Sequence, residues 1–83
     1  MSGLHVNVKS AKTIMDISKA SLSALRSDIE MSRDALLVNA ASVCELDYET
    51  VDRYIDASLN YLVFSGEVYP STMNNHWHIR EYK

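Results

Sequence analysis

Eighty-three residues leave room for one domain, 1–83, and no second. With 47% hydrophobic and 23% charged residues, two glycines and one proline, this is the composition of a folded chain, not of a disordered tail. The net charge of −3 excludes the broad basic field that general binding to nucleic acid or anionic membrane needs.

The longest apolar runs, 35–38 and 61–64, are four residues, where a membrane span needs about 20. No membrane partner is expected, and no apolar stretch near the start reads as a secretory signal. The single cysteine, Cys44, allows no internal disulfide and points to a reducing, cytoplasmic setting. Charge is unevenly placed. Residues 45–56 hold Glu45, Asp47, Glu49, Asp52 and Asp56 against Arg53 alone, a net of −4, while the other 71 residues hold six acids and seven bases.

In chain order, residues 4–8 alternate apolar and polar like a short N-terminal strand. Ser10 then offers an N-cap for a helix over 11–31. At about 100° per residue, Ala11, Ile14, Met15, Leu22, Leu25 and Ile29 share one stripe. Ile17 falls outside it, which predicts a second contact or partial exposure. Lys12, Lys19 and Arg26 form a basic row of seven-residue spacing beside the stripe, read first as a solvated edge. Met15, Leu22 and Ile29, with Ala11, Ser18 and Leu25, also fit a three-heptad seam, although packing within the domain is the simpler use of that face.

Ser32 caps a second helix over 33–44, and Asp47 a third over 48–64, on which Val51, Ile55, Leu59 and Leu62 recur on one face. Asp47 and Glu49 suit the positive end of that helix. Gly66 is the natural stop, since it accepts positive φ without strain. Beyond it the pattern is β: 67–71 is a short strand ended by Pro70, and 72–75 has turn chemistry. Over 76–82, Trp77 and Ile79 point one way, and His76, His78, Arg80 and Tyr82 the other. The two strands make a hairpin over 67–82. The fold class is therefore α+β, three helices followed by a two-stranded hairpin. The predicted core is Ile14, Leu22, Leu25, Leu36, Ala40, Val43, Leu46, Val51, Ile55, Leu59, Leu62, Val68, Trp77 and Ile79, with Trp77 anchoring the hairpin.

Residues 37–44, the turn Glu45-Leu46-Asp47 and residues 48–55 resemble a helix-turn-helix. Ala41 is the small residue at the helix crossing, and Cys44, Leu46 and Val51 are the apolar sites. With Gly66-Glu67-Val68-Tyr69 and Trp77-His78-Ile79 as a wing, the chain over about 10–83 resembles the winged helix-turn-helix domains of small bacterial and viral regulators. It departs from them at Glu45, where the family prefers Gly, so Glu45 is expected in a less favourable backbone conformation.

The resemblance implies a transcriptional regulator of double-stranded DNA, with the second motif helix in the major groove and the wing on the backbone. It assigns DNA contacts to Tyr48, Thr50 and Arg53, with Arg33, His76, His78 and Arg80 as further basic candidates. Four of the seven exposed positions on the reading helix are acids, however, and phosphates repel them. The alternative is an adaptor or inhibitor whose Glu49, Asp52, Asp56, Tyr54 and Tyr61 meet a basic protein surface. The long first helix, the tyrosine face and the small core also suggest a homodimer.

No cofactor, metal or catalytic residue is expected. His76 and His78 share a strand face, but a zinc site needs about four ligands and only His5 and Cys44 are recruits. Cys44 lies at the apolar end of its helix, where a buried, inert thiol is expected. Glycines at 3 and 66 cannot form a phosphate loop. The chain reads as a non-enzyme.

Overall fold

The structure, a computed structural model, describes residues 8–80. Helix α1 spans Val8–Asp28, strand β1 Glu30–Ser32, α2 Arg33–Cys44 and α3 Tyr48–Phe64. Strands β2, Val68–Pro70, and β3, His76–Ile79, follow. The class is α+β: three helices and one antiparallel sheet of order β1-β3-β2, with a hairpin after the helices. This arrangement is compatible with the winged-helix layout.

α2 and α3 begin and end where the sequence places them because both carry local caps. Ser32 Oγ accepts from the Ala35 N–H at 3.1 Å, and Asp47 Oδ1 from the Thr50 N–H at 3.2 Å. Each satisfies a donor left open in a first turn. Gly66, at φ 86, closes α3, and the Glu67 N–H returns to the Leu62 carbonyl at 3.1 Å.

α1 departs from the sequence reading at both ends. The alternation at 4–8 lies outside the described residues except for Val8, which is already helical. Ser10 therefore sits inside α1, not at its cap, and its Oγ lies 3.2 Å from Tyr54 Oη. At the other end α1 stops at Asp28, three residues short of Met31. Ile29 takes φ 74 and turns the chain so that 30–32 becomes β1, the third strand. Met31 then pairs with Trp77, and Ile29 O accepts the Ile79 N–H at 2.8 Å. Helical periodicity cannot register this, because the partner strand arrives 46 residues later.

The buried face of α1 is also rotated from the predicted stripe. Ile17, expected to make a second contact or to be partly exposed, is 0% exposed and takes the first course, whereas Met15 and Ile29 are 44% and 45% exposed. Ala11 is exposed, and Ile14 and Leu22 are half-buried. Ser18, Ser21 and Ala20 complete the inner face. Small residues there let α2 and α3 approach α1 from two sides. Ser18 Oγ donates to Ile14 O at 2.7 Å, and on α3 Ser58 Oγ to Tyr54 O at 2.9 Å, so these two hydroxyls cost little, whereas Ser21 Oγ is buried with no hydrogen-bond partner among the described residues.

Leu25, Leu36, Ala40, Val51, Ile55, Leu59, Leu62, Val68 and Ile79 are buried as predicted, and Leu46 and Trp77 pack half-buried against them. Val43 is a correction, at 63% exposed. The inner face of α2 centres on Ala40 and Ala41, which leaves Val43 at its edge beside an open cleft with Asp16, Lys19 and Ser23.

Glu45 adopts φ 57, ψ 47, the left-handed conformation expected of the Gly-preferring turn position. An L-residue there costs about 1–2 kcal/mol, against somewhat less than 1 kcal/mol for the greater unfolded freedom of glycine. Glu45 is exposed, so Glu45→Gly is expected to raise stability by about 0.5–1 kcal/mol in urea titration. A loss of stability would show that the Glu45 side chain contributes more than its backbone costs.

Candidate nucleic-acid interface

α3 is pinned by one face and free on the other. Val51, Ile55, Leu59 and Leu62 are buried, whereas Tyr48, Glu49, Asp52, Arg53 and Asp56 are exposed and Thr50 is half-buried. At its start Asp47 is committed to the cap. Hydrogen bonds from the Thr50 side chain and then its backbone N–H hold this carboxyl below the usual aspartate range.

Asp52 and Asp56 are not free acids. Arg33, the first residue of α2, reaches across with Nε donating to Asp56 Oδ1 at 3.0 Å and Nη1 to Asp52 Oδ1 at 3.0 Å. Nη2 adds Asp56 Oδ2 at 3.3 Å and the Asp52 carbonyl at 3.4 Å. The Arg33 side chain is 25% exposed, against 61% and 67% for the two aspartates. The Asp56 bond, ahead of the Asp52 one, holds the guanidinium still more firmly protonated, against the opposing pull of burial. The Arg33 backbone N–H also bonds Asn75 O at 2.7 Å, in the turn between β2 and β3. One residue thus ties the β2–β3 turn, the start of α2 and the exposed face of α3. The sequence reading placed Arg33 with the DNA candidates and the aspartates with the protein-binding ones, and the fold brings them together.

On the sheet, Trp77 and Ile79 face the helices as expected, and the outer face carries the row Glu30, His78 and Tyr69. The Tyr69 and His78 rings stack at 4.9 Å and 16°, and the Arg80 guanidinium sits 5.5 Å from the Tyr69 ring centroid. Glu30 accepts from Ser71 Oγ at 3.1 Å. His76 Nδ1 lies 2.8 Å from Asn74 O, and His78 Nδ1 2.7 Å from Ile79 O. A carbonyl only accepts, so both Nδ1 atoms carry protons and both Nε2 atoms point their chemistry elsewhere.

No model of a known protein family, no curated protein and no solved structure matches this chain.

Tyr54 and Tyr61, paired on one face in the sequence, have different surroundings. Tyr54 is half-buried and bonds Ser10 on α1, while Tyr61 is 49% exposed. Cys44 is half-buried with Sγ 3.5 Å from Asp16 O. Burial, and secondarily Asp16, pushes its thiol up against a weaker opposing effect of Lys12, which disfavours the reactive thiolate. Among the described residues no group of three or more His, Cys, Asp or Glu is placed to hold a metal. His5 and Tyr82 lie outside those residues. No helix among them is long and apolar enough to cross a membrane.

Proposed function

We propose that this chain is a small cytoplasmic DNA-binding regulator that lays α3 in the major groove and the β2–β3 hairpin on the flanking backbone. The observation carrying this reading is the clamp of Arg33 on Asp52 and Asp56. The sequence objection to DNA was an acidic reading helix. Asp47 is spent on the cap, where the helix dipole favours it, and Asp52 and Asp56 share a cation. Glu49 remains as the acid without an ion pair among the described residues. Arg53 and Tyr48 are left to meet base edges or phosphates, Thr50 being half-buried with its side chain on Asp47, and Arg80, His76 and His78 extend the contact along the wing. The same clamp weakens the adaptor reading, because a basic partner would have to displace Arg33 from both aspartates.

Retention of a random duplex pool at about 50 mM and 200 mM salt tests the proposal, with Arg53→Ala alongside. Few cations are available, so a log–log salt slope of roughly −2 to −4 is expected, near 0.9 per neutralised phosphate. A selected sequence should emerge, and Arg53→Ala should weaken it about tenfold or more. No retained duplex at the lower salt, or binding indifferent to Arg53, would overturn the reading.

A further inference from the structure

The largest unexplained feature of the surface is apolar. Phe64 is 93% exposed and Tyr61, one turn before it on α3, 49%. They end a row, Thr50, Tyr54, Ala57, Tyr61 and Phe64, whose four-and-three spacing is that of a helix seam. α1 runs parallel beside α3, as the contacts Ser10–Tyr54 and Ser58–Ile14 at equal offset require. On α1, Met15 and Leu22 border the same side. Between the helices lies a groove of about 170 Å³ lined by Met15, Leu22 and Tyr61, with Lys19 and Glu67 among its charged residues.

We propose that a second copy of this chain docks on this α1–α3 face in a two-fold dimer. An isologous interface must be complementary to itself, and this one carries both halves of each fit. Phe64 is the projection and the groove is its recess. Lys19 is the cation and Glu67 the anion; Glu67 accepts from Ser65 Oγ at 3.0 Å and lies 4.0 Å from Arg26, a loose pair that leaves it able to meet Lys19 of the other copy across a two-fold axis. The Tyr61 and Phe64 rings expose on the order of 250 Å² together. Met15, 44% exposed, extends the patch toward the roughly 800 Å² per partner of a standard interface. The inference does not depend on the DNA reading.

Sedimentation equilibrium of the full chain at about 100 μM, where a micromolar dimer is nearly saturated, tests it. The expected result is a dimer. Phe64→Ser should weaken it at least about tenfold without altering the far-UV spectrum, because burial of so exposed a ring occurs only between copies. Lys19→Glu and Glu67→Lys should each be monomeric alone. Mixed one to one they should recover the dimer, since the mixture pairs opposite charges at both contacts. A monomer at this concentration overturns the proposal and assigns the face to another partner. A dimer indifferent to Phe64→Ser, or a mixture that stays monomeric, overturns it as well.

Discussion

Leu59→Ala is expected to cost about 2–5 kcal/mol, a large part of the roughly 4–12 kcal/mol that a chain of this size can hold. Leu59 is 0% exposed on α3 and belongs to the cluster formed with Ile17, Leu25, Ile55 and Leu62. Its position decides the size of the effect. α1 and α3 meet over Ser18 and Ser58, both buried, with Ser18 Oγ donating to Ser58 O at 3.4 Å and Ser58 Oγ to Ile14 O at 3.2 Å, so small side chains supply little apolar area at that contact and the few large ones carry it. Removing three carbons there loses transfer energy and leaves a void between rigid helices that cannot close without breaking the serine bonds. The thermal midpoint should fall by about 10 °C or more. A loss below about 1 kcal/mol would mean that α1 can slide to refill the space, and that the α1–α3 contact is looser than its hydrogen bonds imply.

What the sequence disclosed and what it hid divide by range. The bounds of α2 and α3, the caps Ser32 and Asp47, the Gly66 stop and the strained Glu45 turn all follow from signals a few residues long, and the structure has each of them. Ile17 falls outside the apolar stripe yet lies on the buried face, because its inner-face neighbours are Ser18, Ala20 and Ser21, small residues that carry no apolar periodicity. β1 was absorbed into α1 because Ile29 and Met31 extend the helical series, and only a strand far along the chain makes 30–32 extended. The candidate site follows the same rule. The exposed face of α3 is legible from periodicity, but the cation that offsets part of its charge stands 19 and 23 residues away. The one local hint was Asp52 and Asp56 at i, i+4, a repulsive spacing that calls for a cation from somewhere.

That clamp makes a prediction sharp enough to separate three roles for Arg33. Arg33→Ala should leave the chain folded, since partly exposed ion pairs contribute only about 0.2–1 kcal/mol each. It uncovers two carboxylates on the face proposed to meet DNA, and duplex affinity at low salt should fall about tenfold, the scale of one or two screened charge repulsions near phosphates. Asp52→Asn with Asp56→Asn on the Arg33→Ala background removes the uncovered charge while keeping side-chain size. If Arg33 acts by masking acids, this triple variant regains most of the parental affinity. If Arg33 itself touches phosphate, the triple variant stays weak. If the acidic face of α3 instead grips a basic protein, Arg33→Ala strengthens that capture and the two asparagines abolish it. Filter binding of the three variants on one selected duplex decides between the first two roles. Masking requires that affinity return when the aspartates are neutralised, because the loss then came from their charge and not from a missing contact.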